Sequence, residues 1–163
     1  MEQFRVRIAG DDLTFSAAHF ITLAGGLCER LHGHDYRVAA EVSGPLDENH
    51  YVVDFVALRH DLKAILDELD HRVLLPTEHP GIRVKADDRE VTATWALRRW
   101  VFPRGDCLLL PVPNTTAELL ARHIGSRLRD ALHSRTGTRP TRVRIEVDEG
   151  LGQKAICQLE GED

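Results

Sequence analysis

The sequence predicts an α+β fold, an antiparallel sheet with two helices on one face. The order of elements carries this expectation: strand, strand, helix, strands, helix, strand, strand. Two stretches have apolar residues at helical spacing, and each begins on a capping signal. The extended runs at both ends of the chain alternate apolar and polar residues, as strands with one buried face do.

Phe4 to Ile8 and Leu13 to His19 read as strands paired around a Gly10-Asp11-Asp12 turn. Asp35 to Val42 reads as a strand that ends at Gly44-Pro45, and Tyr51-Val52-Val53 resumes extended structure. Asp54 is placed to N-cap a helix whose apolar positions are Phe55, Leu58, Leu62, Ile65, Leu66 and Leu69. Glu90 to Ala96 and Arg98 to Phe102 read as a hairpin, with Trp95 and Trp100 as packing residues. A second helix opens at Thr115 with Glu118 three residues on, a capping-box pattern. Its apolar face is Leu120, Ile124, Leu128, Ala131 and Leu132, and Gly137 with Pro140 marks its exit. Val143, Ile145 and Val147 alternate as a final strand, and Lys154 to Leu159 returns beside it. Residues 1–163 show no repeat or linker, so one domain is expected. Its sheet edges need covering or pairing, and copies of the same chain would provide that.

Composition narrows the class without naming a chemistry. With 163 residues, 42% of them hydrophobic and 29% charged, the chain has material for one core. A formal net charge of −5 and no long basic block give no reason to expect nucleic-acid binding. No apolar segment is long enough to span a bilayer, and no N-terminal apolar run follows a basic region, so no membrane partner is expected. Cys28, Cys107 and Cys157 are an odd number at wide spacing, which fits a reducing cytoplasm; Cys107 and Cys157 read as packing thiols.

Chemistry concentrates in Phe15-Ser16-Ala17-Ala18-His19 and Cys28-Glu29-Arg30-Leu31-His32-Gly33-His34. His32 and His34 are two apart and run into a strand, so both imidazoles share a face and can reach one metal ion. His19 ends another strand and can supply a third nitrogen. Three imidazoles leave a fourth position on zinc open, the arrangement of a catalytic site. Cys28 is then free to act as an acid or base. Asp70-His71, after the first helix, is either a solvated helix end or a proton relay in which the carboxylate orients the imidazole. Glu149, in Val147-Asp148-Glu149-Gly150, is either a surface charge or an acceptor for the paired N–H groups of an amino-pyrimidine ring.

These elements, with Val53-Asp54-Phe55, Leu69-Asp70-His71 and Asn114-Thr115-Thr116-Ala117-Glu118, stand in an order and spacing that resembles the 6-pyruvoyl-tetrahydropterin synthase and 6-carboxy-tetrahydropterin synthase family. The resemblance covers most of the chain apart from residues 76–112. It implies the tunnelling fold, in which trimers pair their sheets into a barrel and two trimers stack into a homohexamer. By the same resemblance His19, His32 and His34 are the Zn2+ ligands. Cys28, Asp70 and His71 are the catalytic set, assembled across a subunit interface. Glu149 is the pterin anchor, with Thr115 and Thr116 lining the pocket.

The resemblance implies a cytoplasmic zinc-dependent lyase acting on a pterin triphosphate, 7,8-dihydroneopterin triphosphate. Cys28 lies four residues before His32, the shorter spacing of the carboxy branch. That branch forms 6-carboxy-5,6,7,8-tetrahydropterin with loss of triphosphate and acetaldehyde, a step of queuosine biosynthesis. The alternatives are a 6-pyruvoyl-tetrahydropterin synthase and a non-catalytic zinc- and pterin-binding paralogue. A folate-pathway variant of the family uses glutamate in the cysteine's place, and Glu29 beside Cys28 leaves that variant open. Residues 76–112 read as an insertion whose hairpin lines or caps the site mouth. Its Arg98, Arg99 and Arg104 are either phosphate contacts or a solvated hairpin face.

Overall fold

One long strand organises the sheet. The computed structural model describes residues 2–137 and 140–161. It begins with β1 (Phe4–Ile8), β2 (Thr14–His19), the two-residue strands β3 (Thr22–Leu23) and β4 (Leu27–Cys28), and the thirteen-residue β5 (His32–Gly44). Helix α1 (Phe55–Leu69) leads to β6 (Arg72–Pro76), β7 (Arg83–Ala86), β8 (Glu90–Trp95), β9 (Arg98–Pro103) and β10 (Cys107–Leu110). Helix α2 (Ala117–Thr136) precedes β11 (Arg142–Asp148) and β12 (Lys154–Glu160). The main sheet runs β10-β6-β2-β5-β11-β12, with β1 also on β5.

The first two strands do not form the expected hairpin. Both run antiparallel to β5 and lie end to end along it: Phe4 to Ile8 face Gly44 to Ala40, and Thr14 to His19 face Arg37 to His32. Gly10-Asp11-Asp12 is therefore a bulge between two collinear strands, closed by the Leu13 N–H to the Gly10 carbonyl at 3.2 Å. Leu13 is restored to the ladder, where its carbonyl accepts from the Val38 N–H at 2.8 Å. The sheet is also not antiparallel throughout. β6 joins β2 in parallel after the α1 crossover, and β10 joins β6 in parallel.

Asp54 caps α1 as expected, accepting from the Ala57 N–H at 2.8 Å. The buried stripe starts one turn later than expected, at Leu58, and Phe55 is exposed. Tyr51-Val52-Val53 is a bend rather than a strand, because the Asp47 carboxylate gathers the Asn49 and Tyr51 N–H groups into a turn. The N-cap of α2 is Thr116, one residue after the expected position, and its hydroxyl accepts from the Leu119 N–H at 3.4 Å. Gly137 ends α2 in the left-handed region at φ 73°, a conformation that costs glycine little.

The main core lies between one face of the sheet and the two helices. Phe15 and Tyr36 stack at 4.5 Å on that face, with Val38, Ala40 and Val42 beyond them on β5 and Val143, Ile145 and Val147 on β11. Against these pack Leu58, Leu62 and Leu66 of α1 and Leu120, Ile124 and Leu128 of α2. Helix α2 comes close to the sheet at Gly125, where a Cβ would sit 3.1 Å from Leu159 and 3.2 Å from Ile145. A second, smaller core joins the three-stranded sheet β7-β8-β9 to the main body through Phe20, Leu75, Ile82, Val91, Ala93 and Cys107. Trp100 of β9 stacks on Phe20 at 4.2 Å, so this sheet sits beside the residue that follows His19.

Asp61 ties the two helices together. Its side chain is 9% exposed and takes two N–H groups from Arg135, one of them at 3.0 Å from Nε. Burial alone would raise the Asp61 carboxyl, but the hydrogen bonds from Arg135 and His60 outweigh it and hold it below the usual range. A folded-state value below the unfolded one stabilises fully above the ordinary aspartate value of about 3.9, and this is lost as pH falls through the lowered value. Arg135→Met should lower the urea-unfolding midpoint at neutral pH, because it leaves the Asp61 carboxylate buried without its main partner. The difference from wild type should narrow as the solution is acidified below that value.

Candidate active site at the end of the sheet

The register of β2 on β5 places three imidazoles on the core face of the sheet, where the packed core gives way to a cavity. His19 lies directly opposite His32, and His34 is two residues further along β5. The ring centroids are 4.8 Å (His19–His32), 5.3 Å (His19–His34) and 4.9 Å (His32–His34) apart. One ligand nitrogen from each lies within 4.8 Å of the others.

Backbone carbonyls orient two of the rings. His19 Nδ1 is 2.8 Å from the Thr115 carbonyl, and His32 Nδ1 is 2.8 Å from the Arg30 carbonyl. A carbonyl only accepts, so each Nδ1 carries a proton, which in the neutral ring leaves the lone pair on Nε2. Burial pushes His19 down to about 4, against the Thr115 carbonyl that favours the charged form. It is therefore neutral at physiological pH, the state in which imidazole binds metal. Three imidazoles whose ligand nitrogens converge, with no thiol among them, fit a zinc site with an open position.

The cavity beside the histidines has a volume of about 460 Å³ and is bounded by Glu29, Thr116, Glu118, Glu149 and Gln153 as well as the three rings. Glu29 extends to 3.7 Å between its Oε2 and His32 Nε2. That oxygen is buried and has no hydrogen-bond partner among the described residues. Glu149 follows the last residue of β11 and lines the same cavity. Tyr36 lies under both: its hydroxyl is 3.4 Å from His19 Nε2, and burial together with the charges of Glu149 and Glu29 raises its pKa.

The remaining candidates divide. Thr116 borders the cavity, but Thr115, the residue before the cap of α2, is fully buried and does not line it. Its contribution is the carbonyl that orients the ring. Cys28 does not line this cavity. It packs partly into the second core, and burial raises its thiol pKa, against a standing thiolate. Asp70 and His71 form their pair at 2.8 Å, and the Asp70 carboxylate is also fixed by the Ser16 N–H at 2.7 Å, which holds its pKa down. His71 is largely exposed and borders a separate cavity of about 440 Å³ over Gly33 and Asp35. His34 is common to both cavities. Within one chain, the histidines, Glu29, Glu149 and Thr116 come together, while Cys28 and Asp70-His71 stand apart.

Tyr36 was legible as a site residue, being two positions beyond His34 on the same strand face. Nothing local marks Gln153 or the Thr115 carbonyl. Among the hairpin arginines, Arg98 donates to the Cys28 and Glu29 carbonyls, Arg104 to the Cys107 carbonyl, and Arg99 is exposed.

Residues 11–161 match the 6-pyruvoyl tetrahydropterin synthase family. A Methanocaldococcus jannaschii protein is 32% identical over 144 residues, covering 88% of each chain. The 6-carboxy-5,6,7,8-tetrahydropterin synthase of Haemophilus influenzae is 32% identical over 123 residues, 72% of this chain and 79% of its own. Among solved structures, Plasmodium falciparum 6-pyruvoyl tetrahydropterin synthase is 27% identical with a TM-score of 0.87, over 97% of this chain and 98% of its own. On these matches the chain belongs to the 6-pyruvoyl tetrahydropterin synthase family and is a lyase of the tetrahydropterin synthase kind.

Proposed function

We propose that this chain is a zinc-dependent lyase converting 7,8-dihydroneopterin triphosphate to 6-carboxy-5,6,7,8-tetrahydropterin, with loss of triphosphate and acetaldehyde. The observation that carries the reading is the cluster of three imidazoles that shares a cavity of about 460 Å³ with the Glu149 carboxylate. The names of the relatives support the carboxy branch over a 6-pyruvoyl product; on that reading the product would feed queuosine biosynthesis.

His19, His32 and His34 would hold the zinc, which when bound supplies Lewis acidity toward side-chain hydroxyls of the substrate. Glu149 accepts the paired N–H groups of the pterin's amino edge and sets the ring's orientation. Thr116, at the N-cap of α2, borders the same space. A group of the Cys28-Glu29 loop takes the proton from the side-chain carbon and returns one during rearrangement. Asp70 keeps the His71 Nδ1 protonated, leaving Nε2 to exchange protons with solvent or substrate.

Because His71 opens onto a different cavity from Glu149, the reading includes completion of the site by a second copy. The open edges β12 and β10 support such pairing, and a dimer of trimers is the assembly proposed. Without a second chain the relay would have no substrate to serve.

A second reading concerns the acid/base group. Glu29 Oε2 is buried without a hydrogen-bond partner 3.7 Å from His32 Nε2, whereas the Cys28 thiol packs against the second core. If Glu29 takes the proton, the side chain is processed as in the glutamate-using variant of the family, and the product differs. A non-catalytic binding paralogue is the least favoured, since it has no use for the Asp70-His71 pair.

Four measurements test these statements. Metal analysis should find about one zinc per chain in wild type and strong depletion in His32→Ala; full retention removes His32 from the ligand set. Glu149→Gln, which turns an acceptor oxygen into a donor, should weaken pterin binding by about 2–4 kcal/mol in calorimetry. On the carboxy reading Cys28→Ala keeps zinc and pterin but loses turnover by roughly a hundredfold or more, and wild type releases acetaldehyde. The reverse pattern, an inactive Glu29→Gln, an active Cys28→Ala and no acetaldehyde, moves the acid/base role to Glu29. Light scattering should report about six copies, and an active monomer would defeat the shared site.

A further inference from the structure

The loop that carries Cys28 and Glu29 has little to hold it from within. Its two-stranded β3-β4 ladder contains only the pairs Thr22–Cys28 and Leu23–Leu27. Gly25 and Gly26 turn it at φ 77° and 74° with open space where side chains would be. Leu23 and Leu27 are exposed. A segment so placed keeps one conformation only if its surroundings supply the contacts.

Those contacts come from outside the loop. Near its start, Thr22 Oγ1 is 2.8 Å from His79 Nε2, and the Thr22 carbonyl accepts from Asn114 Nδ2 at 3.2 Å. At its end the Glu29 N–H donates to the Ile21 carbonyl at 2.9 Å. Between these, one nitrogen of β9, Arg98 Nη1, donates to the carbonyls of both Cys28, at 2.7 Å, and Glu29, at 3.0 Å. The guanidinium is itself immobilised, 4.5 Å above the Trp100 ring, which is stacked on Phe20. Phe20 directly follows His19, so the arginine and the histidine cluster are referenced to the same piece of backbone.

We infer that Arg98 is a positioning residue: through Trp100 and Phe20 it fixes the Cys28-Glu29 backbone relative to the histidine cluster, and so aims the loop's acid/base group. Two consecutive carbonyls converging on one nitrogen determine the rotation of the peptide between them, and with it the direction of the Glu29 side chain. The inference rests on the reading that this loop supplies the acid/base group, whichever of Cys28 and Glu29 it is. It also gives the β7-β8-β9 sheet a role: it is a platform for the loop. Arg98 Nη1 is then committed to the protein and does not serve as a phosphate donor.

The test compares Arg98→Ala and Arg98→Lys with wild type in the full-length, zinc-loaded protein. The Ala variant should lose about 30-fold to 100-fold in kcat on dihydroneopterin triphosphate, with KM within about twofold and zinc content unchanged, as expected for about 1 Å of misplacement. Lys, which keeps a donor but loses the stack, should recover part of kcat. Independently of turnover, alkylation of Cys28 by iodoacetamide, followed on its peptide by mass spectrometry, should speed up about tenfold in the Ala variant, as expected when local opening becomes easier. Cys107, in the core beneath the same platform, should react no faster. A raised KM with kcat intact would overturn the inference in favour of a phosphate contact, and an unchanged Cys28 rate would overturn it outright. If Cys107 also becomes reactive in the Ala variant, the platform itself has loosened, and the Lys variant decides by the same two readouts. A wild-type protein that does not turn over this substrate defeats the proposed function, while the Cys28 labelling still reports whether Arg98 holds the loop.

Discussion

The pairing of β2 with β5 in the register that sets His19 opposite His32 is the constraint on which the rest of the site depends. Strand side chains alternate, so a slip of one residue would turn His19 to the outer face, away from His32 and His34. The register is held by more than the histidines. Phe15 stacks on Tyr36 at the inner end of the same pairing, and Leu13 closes the bulge against Val38. The same apolar contacts that make the core therefore also bring the three imidazoles together.

Helix α2 gives the site its second wall. Its first turn meets the strand ends because Leu120, Ile124 and Leu128 bury against β11 and β5, and Gly125 lets it approach closely. That docking delivers the Thr115 carbonyl to His19 and Thr116 to the cavity. A buried imidazole with its Nδ1 proton donated to a carbonyl is held in one tautomer and one orientation, and desolvation keeps it uncharged. The core and the site are thus one structure: the helix that seals the apolar interior also orients the most buried of the three imidazoles.

Both helices and the Asp54 cap were legible in local spacing, and so was the shared face of His32 and His34; the α2 cap fell one residue later than local spacing placed it. Local reading failed where pairing partners had to be chosen. Gly10-Asp11-Asp12 has the composition of a hairpin turn, yet β1 and β2 each gain more by lining up along the thirteen-residue β5 than by folding on each other. The Tyr51-Val52-Val53 run has strand composition, but the Asp47 carboxylate captures its backbone. Thr115 and Thr116 are alike in sequence; the folded structure makes Thr116 the cap of α2 and Thr115 the buried residue whose carbonyl accepts from His19.

The sequence by itself determined the class of fold, the two helices, the imidazole pair and the carboxylate that follows β11. These follow from periodicity and from residues within a turn or two of one another. Tertiary structure alone decided which side chains share a cavity. Cys28 and Glu29 are neighbours in the chain, and adjacent residues of an extended segment point to opposite sides. Nothing local says which side is the cavity and which is the apolar platform. The second core answers that by absorbing Cys28, and Arg98, seventy positions away in the chain, holds the peptide that joins the two residues. Long-range packing assigns the inward-facing residue here because the loop lacks enough internal contacts to assign it for itself.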